Sequence, residues 1–377
     1  MVKPVIVNLG KIDISIFKKQ KKEDGLVSAL LGSLLALFLA FCVAAFIISL
    51  SGANPLLAME TMIKGAFSSK RMIAETLIKA TPLLLAAEGL TICYRAGMIS
   101  IGSEGQIIMG GLFATVTGLY FVKGLPSILA ITIVILAAAL GGGLWALIPA
   151  ILKAKLGVSE VINTIMLNYI ALYGISYLLD KPLREPSAIN PQSSLLPENL
   201  WLPNILPGTR LHFGFILALL AALFVYLLLW RSPWGYQMRA VGFSQSAAKN
   251  AGIPIVRNLI LSMVLSGVFA GIAGGIEITG IHHRLMNAFS AEVGFDAMAV
   301  ALLGKLHPVG VVIAAIFFGA LRVGSGVMQR SVQVPSSLVS VIQGLVIIFV
   351  LMDTFIKNYA VSVLKKGKEV ITKGGHV

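Results

Sequence analysis

The sequence predicts an all-α protein that crosses a membrane several times. Hydrophobic residues make up 57% of the 377 residues and charged residues only 12%, which is about half the charged fraction of a typical soluble domain. Apolar runs that approach the roughly 20 residues needed to cross a bilayer recur along the chain. These runs lack the alternation of apolar and polar residues that marks the strands of a transmembrane barrel. Helices are therefore expected, because they satisfy their own backbone hydrogen bonds in hydrocarbon.

About ten apolar segments can be placed, with boundaries good to a few residues. The eighth is too short to cross a bilayer unaided, so we expect a re-entrant or broken helix there. Together they define a transmembrane domain, 26–356, between a basic N-terminal segment, 1–25, and a basic tail, 357–377. The predicted segments are 26–50, 74–93, 105–122, 125–150, 160–180, 213–230, 259–281, 293–304, 308–328 and 338–356.

The positions of lysine and arginine predict the orientation of the chain. The formal net charge is +14, and the basic residues gather at the ends of the apolar runs. Cytoplasmic loops of membrane proteins carry an excess of these residues. Both termini and the segment 231–258 are therefore predicted to be cytoplasmic, and the Pro-rich loop 181–211 is predicted to lie outside. This distribution of basic residues does not indicate a nucleic-acid partner. We expect the chain to be surrounded by a lipid bilayer.

Neither a cleaved leader nor a cysteine or metal site is indicated. The segment 26–50 is longer than the apolar core of a signal peptide, so we expect a retained anchor helix. Cys42 and Cys93 lie inside apolar segments, which does not suggest a disulfide framework. His282 and His283 lack further ligands at a spacing that suits a metal ion.

Two Gly-rich stretches indicate an internal duplication. Residues 96–111 follow the second apolar segment, and residues 294–319 follow the seventh. An offset of five crossings would place the two halves upside down relative to each other. Inverted repeats of this kind put the solute at the repeat interface, near the middle of the membrane and beside broken helices.

The first Gly-rich stretch carries polar residues at membrane depth. Ser103 and Gln106 fit a capping box that would open the third helix. Glu104 then has two readings. It either complements the positive end of that helix, or it lines a solute path, as ionisable groups inside membranes commonly do.

The fifth and seventh segments supply the other candidate path residues. Tyr169, Tyr173 and Tyr177 recur at helical spacing and form an aromatic stripe beside amide side chains. Such a wall suits a flat solute that forms hydrogen bonds, although amide bonds between helices and ordinary packing explain the same residues. The predicted path residues are Glu104, Gln106, Asn163, Asn168, Tyr169 and Glu277.

The seventh segment also predicts a tight helix contact. Gly267, Gly271 and Gly275 recur at every fourth position and therefore lie on one face. Small residues at this spacing let two membrane helices approach closely.

The polar, Pro- and Gly-punctuated segment 231–258 stands between two long apolar runs and is predicted to dock a partner in water. The sequence contains no phosphate-binding loop of the G-x-x-x-x-G-K-[ST] type, so the chain is not expected to hydrolyse ATP by that route. No nucleophile setting typical of an enzyme is visible either. We therefore expect a transport subunit without a cofactor of its own.

The motifs taken together resemble the permease subunits of bacterial ATP-binding cassette (ABC) importers, in the ribose/branched-chain amino acid permease superfamily. Within that superfamily the chain is most similar to the nucleoside-uptake, simple-sugar-type branch. One position departs from the family pattern: Ser100 stands where asparagine is common. The matching stretches are 97–106, 157–171, 238–253, 266–285 and 294–310.

The resemblance implies a function and a set of partners. It implies import of nucleosides or related sugar-containing solutes across the bacterial cytoplasmic membrane. A second permease chain, equal or different, would complete the pore. A cytoplasmic ABC ATPase would dock on the segment 231–258, and a substrate-binding lipoprotein would deliver the solute. The implied coupling residues are Arg239, Ala247, Ala248, Lys249, Gly252 and Arg257.

Two alternatives stay open at this point. The first is a secondary carrier driven by Na⁺ or H⁺, in which carboxylates at membrane depth serve as ion sites. The second keeps the ABC class but transports a pentose, an autoinducer-like sugar or a branched-chain amino acid. The carboxylates available to a carrier are Glu88, Glu104, Glu277 and Asp296.

Overall fold

The computed structural model describes residues 42–43, 45–49, 54–332, 341, 344–345 and 348. The helices over this part of the chain are α1 Pro55–Phe67, α2 Lys70–Arg95, α3 Ser103–Tyr120, α4 Ser127–Leu156, α5 Glu160–Asp180, α6 Gly214–Arg231, α7 Pro233–Phe243, α8 Gln245–Asn250, α9 Ile255–Glu277, α10 Val293–Leu303 and α11 Pro308–Val332. A 3₁₀ turn at Glu198–Leu200 lies in the predicted outside loop, and a π turn at Ile278–His282 continues α9.

The prediction of an all-α, multiply spanning protein is confirmed. Among the described residues, 6 helices are long and apolar enough to cross a membrane: α2, α4, α5, α6, α9 with its π turn, and α11. The first and tenth predicted segments lie largely outside the described residues, as do the segments 1–25 and 357–377.

Two predicted segments differ from these spanning helices. Helix α10 has 11 residues and a rise of about 16 Å, roughly half the hydrocarbon thickness, which confirms the short eighth segment. Helix α3 forms where the third segment was predicted, but it is less apolar than the six spanning helices. Most of its residues are buried, so its polar groups face other helices.

Helix α9 is the centre of the bundle and packs against α2, α3 and α4. The predicted glycine face makes these contacts. A Cβ on Gly271 would lie 2.2 Å from the carbonyl oxygen of Ala138 in α4, and one on Gly267 would lie 2.4 Å from the oxygen of Gly142. A Cβ on Gly275 would come within 2.6 Å of the Ala138 Cβ. Larger residues at these positions would force α4 away from α9.

Local sequence signals explain where the short helices begin. The side-chain oxygen of Ser232 accepts a hydrogen bond from Gly235 N and caps α7, whose first residue is Pro233. Ser244 caps α8 through Ala247 N. Proline at the first helical position and serine at the cap are both favoured at helix starts. Gly252, at φ +74°, ends the turn after α8, where residues other than glycine are strained.

Candidate functional site at the junction of α3 and α10

The N-terminal ends of α3 and α10 meet inside the bundle, and Glu104 joins them. Its Oε2 accepts a hydrogen bond of 2.7 Å from Gly294 N, and its Oε1 accepts one from the Ser290 hydroxyl. A Cβ on Gly294 would lie 2.2 Å from Glu104 N, so glycine is required for this approach. Because helix N-termini carry partial positive charge, one carboxylate complements both ends.

The junction brings the two Gly-rich stretches of the predicted repeats into contact. The chain leading to α3 has no regular secondary structure from Met98 to Ile101, and α10 begins after the irregular stretch 283–292. Both helices therefore start at a break in the path of the chain. Broken helices that meet between two repeats are the typical surroundings of a transporter site. The inverted-repeat relationship itself stays a prediction.

The capping-box prediction for α3 was wrong. The N-cap residue is Gly102, and no described side chain caps this helix end. Ser103 Oγ and Gln106 Oε1 are buried and have no hydrogen-bond partner among the described residues. The carboxylate of Glu104 points towards α10, where it accepts the hydrogen bond from Gly294 N.

Asn168 on α5 holds the segment before α3. Its Nδ2 donates to the carbonyl of Ile101 at 2.9 Å, and its Oδ1 accepts from Gly105 N at 2.9 Å. Thr164, one turn earlier, accepts from Ile101 N at 3.2 Å. Asn168 is buried, and both ends of its amide are used. In this structure it positions the junction through both ends of its amide.

The aromatic stripe of α5 lies on the outside of the described bundle. Tyr169, Tyr173 and Tyr177 are all exposed, and the first two rings stack with centroids 6.4 Å apart. Asn163 is half-buried, and its Nδ2 has no partner among the residues that the structure describes. Within the part of the chain that the structure describes, the stripe and Glu104 therefore do not line one common cavity.

Glu277, the last residue of α9, lies at another end of the candidate path. It is buried, and its Oε2 is 3.3 Å from Nε2 of His282 at the end of the π turn. His283 follows at φ +55°. The stretch 283–292 then runs from this point to Ser290 and Glu104. The structure thus connects Glu277 to the junction through backbone, without direct contact between the two carboxylates.

The segment 231–258 forms two short helices, α7 and α8, that pack on the bundle. Val241 and Ala248 are buried together with Cys93, Met98 and Met263. Ala248 is only 3% exposed, so its side chain anchors the segment and is not available to a partner. Its predicted role in coupling to a partner stays a prediction.

The other implied coupling residues divide into two groups. Ala247, Lys249 and Arg257 are exposed. The Cζ of Arg239 lies 5.8 Å from the ring centre of Trp230, and the Cζ of Arg95 lies 5.4 Å from it. Arg239 therefore stacks on the bundle, where cation–π contact stabilises it.

Sequence reasoning missed the aromatic residues of this segment. Phe243 is 85% exposed at the turn between α7 and α8, and Trp234 and Tyr236 are also exposed. Exposed aromatic residues in a segment that is predicted to face water are typical of docking surfaces. The signal was present in the composition of residues 234–243, where aromatic residues interrupt a polar stretch.

Comparison with known proteins identifies the class of the molecule. Residues 72–351 match the family described as the branched-chain amino acid transport system / permease component. The chain belongs to this permease family. It is a transport component of the ABC class, not an enzyme, and a multi-pass membrane protein. No solved structure matches it.

Three curated relatives cover most of the chain. The guanosine ABC transporter permease NupP of Bacillus subtilis is 37% identical over 90% of this chain and 98% of its own length. The glucose ABC transporter permease TsgB13 of Haloferax volcanii is 32% identical over 82% of this chain and 84% of its own. The nucleoside ABC transporter permease NupB of Lactococcus lactis is 32% identical over 86% and 91%.

Proposed function

We propose that the protein is the membrane subunit of an ABC importer that takes up nucleosides. The similarity to the guanosine permease of Bacillus subtilis carries this proposal, because it extends over 90% of the chain. The nucleoside permease of Lactococcus lactis supports the same solute class. Glucose is the second candidate, because the Haloferax volcanii glucose permease is also 32% identical over most of the chain.

A cytoplasmic ABC ATPase supplies the energy and docks on α7 and α8. The surface that faces it consists of Phe243, Ala247 and Lys249, which are exposed. The surface of the ATPase that faces the membrane would bury the phenyl ring of Phe243 and pair with the charge of Lys249. A second permease chain completes the pore, and a substrate-binding lipoprotein delivers the solute to the loop 181–211. Both termini are cytoplasmic in this arrangement.

The path from the docking surface to the junction is short and continuous. Ala248 and Val241 are packed against Met98, which lies in the stretch between α2 and α3. That stretch leads through Ile101 and Gly102 to Glu104. Movement of α7 and α8 therefore acts directly on the start of α3, and through Glu104 on the start of α10.

The decisive experiment is reconstitution into liposomes with and without the partner proteins. The chain, its partner permease, the ATPase and the lipoprotein are expected to take up radiolabelled guanosine or uridine with ATP, and to fail without ATP or without the ATPase. Uptake by the permease alone, driven by a Na⁺ or H⁺ gradient, would support the carrier alternative and reject the proposal.

The same liposomes decide between the two candidate solutes. Guanosine, uridine and glucose are supplied at equal concentration with the cognate lipoprotein. Nucleoside uptake that glucose does not compete supports the proposal. Glucose uptake without nucleoside uptake would transfer the assignment to the sugar class.

A further inference from the structure

A cavity of about 450 Å³ lies at the end of α2 that is remote from the segment 231–258. Its walls come from α2, from the loop after α5, and from the π turn that ends α9. Lys79 in its wall lies sixteen positions before Arg95, the residue of α2 that contacts the segment 231–258. Sixteen residues of helix correspond to a distance of about 24 Å. We call this space the outer cavity.

We propose that the outer cavity is a binding site for the nucleoside before it enters the membrane path. The proposal deepens the function proposed above and rests on it. Cavities of this volume are typical of small-molecule sites, in which apolar and aromatic walls are combined with a few polar groups.

The charged groups around the outer cavity are balanced and suit a neutral solute. Arg210 binds Glu75 through Nε at 3.0 Å and through Nη2 at 2.9 Å and 3.0 Å. Glu277 contacts His282 at 3.3 Å, and Lys79 also lines the wall. Glu75 in the lining and the buried Glu277 behind it thus offset the basic Lys79 and Arg210. Hydroxyl and amide groups of a solute find both donors and acceptors here, whereas a net charge would leave one ion uncompensated.

The aromatic wall suits a flat ring. The indole of Trp201 stacks on the imidazole of His283, with centroids 4.0 Å apart and planes at 17°. Trp201 Nε1 donates to the carbonyl of Leu196 at 3.2 Å, so the indole is held in orientation. Held aromatic planes at the edge of a polar cavity favour stacking of a nucleobase, which tolerates different bases because each has a π face.

A buried histidine with one unpartnered ring nitrogen lies behind the wall of the outer cavity. His212 is 0% exposed, and its Nδ1 accepts from Gly214 N at 3.2 Å, so the hydrogen is on Nε2. Burial lowers the pKa of His212 to about 4, which keeps the ring neutral. Nε2 has no partner among the described residues, and a Cβ on Gly280 would lie 2.8 Å from it.

The wall is also joined to the junction of α3 and α10. Leu202 N donates to the carbonyl of Thr279 at 3.0 Å, and Leu196 N donates to that of His283 at 2.8 Å. The stretch after His283 leads to Ser290, which donates to Glu104. π turns occur frequently at functional sites, and unpartnered buried donors are rare. The wall of the outer cavity is therefore connected to Glu104 through these hydrogen bonds and the backbone of residues 283–290.

Protection from thiol labelling tests the site directly. Asn204→Cys places a thiol on the cavity wall, and Ile189→Cys places one in the same loop, where Ile189 is 94% exposed and outside the cavity lining. Both are made in a Cys42→Ser background and purified with the partner permease and ATPase. The probes are guanosine and uridine at saturating concentration, without the lipoprotein. A polar maleimide is then added, and the rate of labelling is measured.

We expect both nucleosides to slow labelling at position 204 at least about threefold and to leave position 189 unchanged. Equal rates at position 204 with and without nucleoside, in a complex that takes up nucleosides, would overturn the site and leave the proposed function intact. Absence of protection together with absence of nucleoside uptake would reject both. Protection by glucose but not by nucleosides would reject the solute class of both proposals.

Substitution of the wall gives a second, independent readout. Trp201→Ala is expected to raise the half-saturating nucleoside concentration for uptake at least about tenfold, and Trp201→Phe to restore most of the affinity. Lys79→Gln leaves the aromatic stack intact, so it tests the site even if Trp201→Ala misfolds. It is expected to raise the half-saturating nucleoside concentration about threefold. Tyr120→Ala is the control, because Tyr120 is exposed outside the cavity lining. Equal half-saturation in all four variants would contradict the proposal.

Discussion

Gly97 and Gly242 are in direct backbone contact. A Cβ on Gly97 would lie 3.1 Å from the Cα of Gly242, and a Cβ on Gly242 would lie 2.1 Å from the carbonyl oxygen of Arg95. The end of α7 therefore rests on the turn that follows α2, with no side chain between them. Since this turn leads to Glu104 and the start of α3, the contact connects the proposed ATPase surface with the junction.

The first prediction concerns this link. Gly242→Ala places a methyl group where backbone already lies, so α7 must move away from Arg95 at a cost of about 1–3 kcal/mol. ATP hydrolysis by the assembled importer is expected to continue, while nucleoside uptake per ATP falls at least about fivefold. Gly326→Ala is the control, because a Cβ at that position meets no described atom within 4 Å. Unchanged uptake per ATP in the Gly242 variant would argue against a mechanical role.

The second prediction concerns the carboxylate at the junction. Glu104→Gln keeps the shape of the side chain but leaves only one oxygen to accept from Gly294 N and Ser290 Oγ. Loss of one buried hydrogen bond to a charged group costs about 1–3 kcal/mol. We expect a lower unfolding temperature in detergent and at least tenfold slower uptake. Glu292→Gln, an exposed neighbour, should change neither quantity.

A cycle with Ser290 makes the second prediction specific. Ser290→Ala alone should reduce the unfolding temperature, and its effect should shrink when Glu104 is already glutamine, because the two residues share one hydrogen bond. Strictly additive effects would mean that the observed contact does not contribute to stability.

The third prediction concerns the ion pair of α10 and α11. Arg322 Nε and Nη2 lie 3.0 Å and 2.7 Å from the same oxygen of Asp296, and Nη2 also donates to the carbonyl of Ala291. Both side chains are about one-fifth exposed. Asp296 is therefore paired within the protein, which does not favour its use as a free ion site of a carrier.

Removal of either partner alone leaves a partly buried charge without compensation, whereas removal of both does not. Asp296→Asn and Arg322→Gln are each expected to reduce the amount of folded protein in the membrane, and the double variant to recover a substantial part of it. Lys123→Gln serves as a control at an exposed position. A double variant that is as poor as the worse single variant would show that the pair does not act as a unit.

Periodicity and composition were sufficient for the architecture but not for the site. The glycine spacing of α9 predicts a tight face, and Gly267, Gly271 and Gly275 do pack on α4. Segment lengths predict a short eighth helix, because 11 residues cannot cross hydrocarbon. Such patterns are local, and each was readable within one stretch of chain.

The contacts of the site join residues that are distant in the sequence, and no local pattern encodes them. The local pattern at Ser103 and Gln106 predicted a capping box, but the helix starts after Gly102. The carboxylate of Glu104 binds Gly294, which lies 190 positions away. Likewise, an alanine in a polar segment gives no sign of which face it occupies. The buried state of Ala248 follows from Cys93 and Met263, which belong to other helices.

The last prediction concerns the proposed ATPase surface and uses this difference between neighbouring alanines. Ala247 is exposed and Ala248 is buried. Ala247→Asp is expected to leave folding unchanged and to abolish ATPase co-purification and uptake, because it introduces a repelling charge into a docked face. Ala248→Asp is expected to lower the unfolding temperature, because it buries an unpaired charge among apolar side chains.

Phe243 gives the same surface an apolar test. Truncation of an exposed aromatic ring that becomes buried on docking typically costs about 2 kcal/mol or more of binding free energy. Phe243→Ala should therefore weaken ATPase binding at least tenfold, as measured with the purified permease pair in nanodiscs. Tyr120→Ala, at a surface that is remote from α7 and α8, is the matched aromatic control. If Phe243→Ala and Ala247→Asp both retain full ATPase affinity, the ATPase docks elsewhere. Its movement would then not be transmitted from Gly242 to Glu104.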